Sequence, residues 1–381
     1  MTAFYRPSWA EIDTSAVAAN VGLLRHLVAP SRLCAVVKAD GYGHGAVAVA
    51  RAALEGGASM LAVGLVEEAV TLREAGIEAP VLMLTEAPPD GIEALCEIGA
   101  TPTVYSEQGI AGVARAAARL GRPVAVHLKV DTGMHRVGAD CGDVASLASL
   151  VAGVGPLSLG GLWTHFAVAD EPADAFTALQ IDRFEAAARA ALAVGTRPEM
   201  LHAANSAGAI AHPRSRYDLV RCGIACYGHA PSAAVAETLA GLVGPGEGLR
   251  PALSLKARVH AVRRLAAGER TSYGRNYELA EDSFLANVPL GYADGLRRQL
   301  GATAAEVLIN GRRRRIAGTV TMDQLIVDCG TAADVQPGDE VVLIGRQGGE
   351  EVTAEEWAER LGTIVYEVLC GIGSRVPRCA V

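Results

Sequence analysis

Near the start of the chain, Ala35-Val36-Val37-Lys38-Ala39-Asp40-Gly41-Tyr42-Gly43-His44-Gly45 sets a lysine where it can act as a nucleophile. The apolar residues before Lys38 place its ammonium at a poorly solvated strand end. Desolvation disfavours the charged form and lowers a lysine from its ordinary value of about 10.4. A neutral amine can form a Schiff base with an aldehyde. A lone strand-end lysine is more often a surface charge, and what singles this one out is the glycine-punctuated turn that follows. Other candidates recur further on: Lys129 and Arg136, His165, His202 with Asn205 and Ser206, and Arg221 beside Gly223 and Ile224. Each alone has a dull explanation, Ser206 as a cap, Arg221 as a surface charge, His165 as a satisfied core histidine. Together they require elements that bring them to one place.

Those elements are legible as alternation. Strands are expected at 33–39, 60–65, 81–84, 101–105, 124–130, 159–166, 200–204 and 219–227, with helical windows such as 46–55, 67–74, 108–120 and 173–193 between them. Alternation of this kind implies parallel strands, and eight repeats suggest a (β/α)₈ barrel, though some open α/β sheets give a similar count. No G-x-G-x-x-G string favours a dinucleotide fold. In a barrel, functional residues gather at the carboxyl ends of strands, with phosphate often held after strands seven and eight. Lys38 is expected to end strand one, Arg136 to follow strand five, His165 to end strand six, Asn205-Ser206 strand seven, and Arg221 to lie in strand eight. Ser206 opening a short helix could bind a phosphate dianion, and Gly223 would allow close backbone approach.

The rhythm changes at the glycine-rich segment Gly241 to Gly248, a natural linker. Beyond it come β-rich runs (253–262, 284–290, 306–309, 315–320, 325–328, 340–344) and one late helix opened by the capping-box pair Thr353 and Glu356. The expected organisation is a barrel domain, residues 1–242, and a mostly-β domain, residues 243–381, with residues 1–10 able to pack on the β domain. Half the residues are hydrophobic, and the formal charge of −8 with dispersed basic residues argues against nucleic acid as a partner. The one dense basic run, Arg312 to Arg315, follows the hairpin signal Asn310-Gly311, so its side chains should alternate and be mostly solvated. Eight scattered cysteines without a zinc-type set suggest reduced thiols and no metal. Arg6, Glu11 and Asp13 come early without an apolar core, unlike a signal peptide. The uncharged stretch 144–169 is long enough for a membrane helix but is broken by glycines and Pro156, and reads as helix, loop and strand.

V-V-K-A-D-G-Y-G-H-G closely resembles the pyridoxal-phosphate lysine motif of bacterial alanine racemases. The resemblance continues through K-V-D-T-G-M-H-R-V-G from Lys129, A-N-S-A-G from Ala204, R-C-G-I from Arg221, S-Y-G-R-N-Y from Ser272, G-Y-A-D-G from Gly291, T-M-D-Q from Thr321 and S-R-V-P-R from Ser374. Ordered strings across both expected domains are highly specific. The resemblance implies an N-terminal barrel plus a C-terminal β domain, a head-to-tail homodimer, a bacterial cytoplasmic location, and the supply of D-alanine for peptidoglycan.

It also implies roles. Lys38 would hold pyridoxal 5'-phosphate as an internal aldimine, with Tyr42, Asn205, Ser206, Gly223, Ile224 and Tyr366 on the phosphate side. Arg221 would face the pyridine nitrogen, which a guanidinium leaves unprotonated, and His165 and His202 would support the ring. Racemisation needs a base on each face of the substrate. Lys38 would serve one and Tyr273, reaching in from the partner subunit, the other. A phenol titrates near ~10, so the positive charge of Arg221 and Arg136 must help it ionise. Arg136, Met322 and Asp323 would hold the substrate carboxylate, Tyr292 would line the entrance, and Lys129 resembles the family's carbamylated lysine. Two departures stand out: His135 where relatives usually have glycine, and Leu296-Arg297-Arg298 in place of an aromatic-proline or leucine-proline segment. The alternatives are a racemase of broader, serine or lysine range, a non-catalytic pyridoxal-phosphate carrier, and an amino-acid decarboxylase. The β domain and Tyr273 count against the carrier, and Arg221 in place of an acid counts against the decarboxylase.

Overall fold

A computed structural model describes residues 5–381. The chain divides into two compact units: one comprises Ser15–Gly41 and Ala46–Arg250, the other the N-terminal stretch up to Thr14, Tyr42–Gly45 and Pro251–Val381. Of residues 1–10, the first four lie outside the described residues.

In the first unit, strands Leu219–Cys222, Arg32–Val36, Met60–Val63 and Val81–Met83 pair in parallel in that order, and so do Thr103–Val104, Val124–Asp131, Leu157–Trp163 and Leu201–His202. The two sets are joined at both edges. Leu82 bridges Thr101, and Asp218 and Arg221 donate backbone N–H groups to Leu201 and Ala204 at 3.0 and 2.9 Å. The result is a closed parallel barrel with helices outside it. Burial on both faces explains why these strands read as short continuous apolar runs. The helices show single apolar stripes: Glu107–Leu120 buries Ile110, Val113, Ala116 and Ala117, starts with Ser106 accepting the Gly109 N–H, and stops at Gly121 with φ 63°.

Several strands are shorter than their apolar runs. The first ends at Val36, and Lys38 begins a left-handed turn in which Ala39, Asp40 and Gly41 have φ of 52°, 50° and 62°. Lys38 is therefore two residues beyond the strand rather than its last member. Two of the three turn residues are not glycine, so neighbours must hold them. Glu68 accepts the N–H groups of Ala39 and Gly64 at 2.6 and 2.8 Å, and Asp40 accepts that of Ala46 at 2.8 Å. Strand six likewise stops at Trp163, two residues before His165, and strand eight at Cys222, followed by a 3-10 turn, Ile224–Tyr227. The helix–loop–strand reading of 144–169 matches Val144–Gly153 followed by Leu157–Trp163.

The second unit is a sheet ordered Ala261–Leu265, Ser283–Val288, Leu325–Asp328, Arg312–Ile316, Glu306–Ile309, Glu340–Gln347, Leu253–Arg258, Ser8–Ile12, Arg378–Ala380. Ser8–Ile12 lies antiparallel to Leu253–Arg258 and alternates buried with half-buried residues, as a strand with one covered face does. The run 253–262 is thus two strands. Asn310 and Gly311, both at positive φ, make the hairpin turn. Of the arginines after it, Arg314 departs from solvation: it is buried, donating to the Cys329 carbonyl and to Asp334. Thr353 caps helix Ala354–Leu361 by accepting the Glu356 N–H. No helix among the described residues is long and apolar enough to cross a membrane.

Candidate functional site

At the barrel centre, register places Lys129, Trp163 and His202 side by side on three adjacent strands, an inward layer of the kind barrels stack. Arg221 comes in from the strand beyond. It is 2 % exposed and all its contacts are acceptors. One Nη donates to the carbonyls of Thr164 and Ala203 at 2.7 and 2.9 Å and lies 3.3 Å from His165 Nδ1; the other lies 3.0 Å from His202 Nδ1. A guanidinium only donates, so both histidines accept through Nδ1. His202 therefore carries its proton on Nε2 and gives it to His127 Nδ1 at 2.9 Å. Burial, then the charge of Arg221, holds His165 and His202 well below the ordinary histidine range and His127 at about 4, so all three are neutral. Burial lowers Arg221 itself to about 10.

Lys129 is the second buried cation centre. Its Nζ sits 4.4 Å from the centroid of the Trp163 ring, and the Arg221 guanidinium carbon 4.5 Å. Burial lowers Lys129 to about 7, helped by Arg221, Arg136 and Lys38, with Asp131 opposing. Lys38 is half-buried, its chain passing over Gly64, where an added Cβ would stand 3.6 Å from Lys38 Cδ. The centre thus holds several positive groups against one carboxylate, an arrangement suited to an anionic ligand.

Loops set the remaining barrel candidates. Asn205, rather than Ser206, caps helix Ser206–Ala211, accepting the Gly208 N–H at 2.9 Å. This leaves the Ser206 hydroxyl to accept the Gly223 N–H at 3.0 Å and the Ala225 N–H at 3.4 Å, tying together Ser206, Gly223 and the buried Ile224 turn. Arg136 is exposed in a loop closed by Asp131, which accepts the N–H groups of Gly133 and His135 at 2.9 and 3.1 Å. His135 takes φ 54°, where glycine is unstrained; its imidazole lies 3.3 Å from Asp131.

On the sheet unit, Tyr42 and Tyr366 face each other with ring centroids 6.0 Å apart. Gly43 fixes the approach, since a Cβ there would meet the Leu369 carbonyl at 2.4 Å. Tyr273 is 71 % exposed and borders a cleft of about 320 Å³ with Ser272, Asn287, Thr321, Gln324 and Ile326. The G-Y-A-D-G and T-M-D-Q segments are stitched by backbone bonds, Tyr292 and Ala293 donating to Thr321 and Met322 at 2.9 and 3.0 Å. Tyr292 and Met322 are exposed, and Asp323 accepts from Arg375 at 2.7 Å. In the departing segment Arg297 pairs with Glu367 at 2.5 Å.

His127 and Trp163 were not singled out by sequence reasoning. The signal was available: each lies two residues before a candidate, Lys129 and His165, and in a strand that means the same face.

Barrel, sheet and buried cation cluster together define a two-unit α/β-barrel protein built around an anion-accepting centre. Comparison with known proteins gives the family. Residues 12–231 match the alanine racemase N-terminal domain and residues 252–380 the alanine racemase C-terminal domain. The chain is 48 % identical over 373 residues to the alanine racemase of Symbiobacterium thermophilum, covering 98 % of this chain and 97 % of the relative. It is 40 % identical to alanine racemase 1 of Bacillus subtilis over 98 % of this chain and 93 % of the relative. Alanine racemase from Streptomyces lavendulae superposes with a TM-score of 0.92 at 40 % identity, covering 100 % of this chain and 98 % of that one. A histidine racemase from Leuconostoc mesenteroides gives 0.89 at 28 % identity, covering 100 % and 99 %. The chain belongs to the alanine racemase family.

Proposed function

We propose that this chain interconverts L- and D-alanine with pyridoxal 5'-phosphate, as a head-to-tail homodimer in a bacterial cytoplasm, supplying D-alanine for peptidoglycan. The observation that carries this is Arg221: a fully buried guanidinium with every contact an acceptor and no carboxylate among them. The residues present fit the cofactor. A lysine amine stands for its aldehyde, a hydroxyl already drawing two backbone N–H groups and a pair of facing tyrosines stand for its phosphate, and a cationic centre stands for its net charge.

Lys38 would hold the cofactor, Tyr42, Ser206, Gly223, Ile224 and Tyr366 its phosphate, with Asn205 fixing Ser206 as the helix cap. Arg221, seated by His202 and His165, would face the ring nitrogen and offer it no proton. When bound, the cofactor withdraws electrons from the amino acid and makes its α-proton removable. The Lys38 amine then takes the proton on one face, and Tyr273 of the partner subunit returns one on the other. Arg136, with Met322 and Asp323 of the partner subunit, orients the substrate carboxylate; Tyr292 of the partner subunit narrows the entrance. Lys129, carbamylated, would pair with Arg136 and hold it. The structural likeness to a histidine racemase makes a broader side-chain range the rival reading. Incubation with single L-amino acids, followed by chiral chromatography, separates them: D-alanine should form fastest by at least tenfold. Equal or faster turnover of serine, lysine or histidine would overturn the alanine assignment.

A further inference from the structure

Trp163 is the central side chain to which the proposed reaction gives no task. It is 1 % exposed, and its indole Nε1–H has no acceptor among the described residues. A buried donor left unpaired costs its full desolvation, so an interior position of this kind points to a missing acceptor. The ring lies against the Lys129 Nζ and the Arg221 guanidinium, and Trp163 pairs in register with Lys129 on one side and His202 on the other. The charges acting on Lys129 are Arg221, Arg136 and Lys38, all positive, against Asp131 alone, while the neutral His165 and His202 line the same centre. An anion at the end of Lys129 would therefore meet three cations and one unused N–H.

We infer, resting on the carbamate reading of Lys129 above, that Trp163 is a positioning residue for that modification and that its indole N–H donates to a carbamate oxygen. In the step, the lone pair of the neutral Lys129 amine attacks the carbon of dissolved carbon dioxide. The N–C bond forms, one C=O pair moves onto oxygen, and a proton leaves Nζ for water, so no electrons are gained or lost. Lysine at about 7 supplies neutral amine near neutral pH. Before the reaction the π face of Trp163 seats the ammonium; afterwards its edge serves the anion.

The test uses ¹⁵N-labelled holoenzyme, whose three tryptophans, Trp9, Trp163 and Trp357, give three indole N–H signals. Trp163 is assigned by its loss in Trp163→Phe, or in Trp163→Tyr if the first chain does not fold. On adding ¹³C-bicarbonate, a carbamate carbon signal should appear and the Trp163 N–H should shift downfield while Trp9 and Trp357 stay fixed. Both changes should vanish in Lys129→Ala. Trp163→Phe keeps an aromatic face and loses the donor, so carbamate occupancy at fixed bicarbonate should drop about five- to tenfold. A carbamate signal with an unmoved Trp163 N–H, or parental occupancy in the phenylalanine variant, would overturn the inference. Absence of any carbamate at saturating bicarbonate would instead remove the Lys129 modification itself, and this inference with it.

Discussion

Lys129 shows how one residue can carry the electrostatics of the centre into a measurable property. It is 4 % exposed, and burial with three neighbouring cations lowers it from 10.5 to about 7. Below pH 7 the folded and unfolded chains both carry the ammonium, and the folded state bears the whole cost of burying it. Between about 7 and 10.5 the unfolded chain binds more protons than the folded one, so unfolding free energy rises with pH. The slope from this one group is at most about 1.4 kcal/mol per pH unit. Lys129→Met cannot titrate and loses that rise. In carbon-dioxide-free buffer, urea unfolding from pH 6.5 to 10 should therefore show the methionine variant favoured at the acid end, with its advantage shrinking as pH increases. Parallel stability curves would mean that Lys129 keeps an ordinary affinity for its proton and that the cationic cluster is screened.

Strands, not single residues, put these groups together, and the glycines of Leu157–Trp163 illustrate how. Gly161 stands opposite His127 in register, and a Cβ there would come within 2.7–2.8 Å of the imidazole ring. Gly161→Ala should push His127 off His202, leaving the His202 Nε2–H without its acceptor and loosening the seat of Arg221. Overpacking and a lost buried hydrogen bond cost about 1–3 kcal/mol each, so a lowered thermal midpoint with faster cofactor loss on dialysis is expected. An alanine variant with parental stability and cofactor retention would show that the histidine pair does not support the arginine. Much of this scale was readable beforehand: the alternation located eight strands, and the residues after them, Lys38, Arg136, His165, Ser206 and Arg221, are the ones the barrel presents. Strand ends were not readable, because apolar runs continue past the last paired residue into Val37, Phe166 and Tyr227, and pairing rather than hydropathy sets the stop. Helices Thr14–Val28 and Pro89–Glu97 were missed. The first is crowded with small and β-branched residues, and the second opens on prolines that read as a turn. His127 and Trp163 were lost to a different cause: a histidine or tryptophan inside a strand looks like ordinary core until register shows which charges it touches.

At the scale of the whole molecule, the two proposed bases belong to different compact units, Lys38 to the barrel and Tyr273 to the sheet. Tyr273, Tyr292 and Met322 are among the large apolar side chains exposed on the sheet unit. Exposed aromatics and methionine are the residue types that protein interfaces favour. If two copies associate head to tail, each site takes Lys38 from one chain and Tyr273 from the other. The consequence is arithmetic and independent of any rate constant. Lys38→Ala homodimers lack one base in both sites, and Tyr273→Ala homodimers lack the other. A mixed dimer has one site with both bases intact and one with neither. Random exchange of equal amounts makes half the dimers mixed, so activity should recover to about a quarter of the parental value per protomer. Recovery should follow subunit exchange, monitored by native mass spectrometry, and stop when the chains are crosslinked as homodimers beforehand. If the bases of one site came from a single chain, every mixture would stay inactive however completely the subunits exchanged. Full exchange without recovery would therefore place Tyr273 outside the reaction and return it to a surface aromatic.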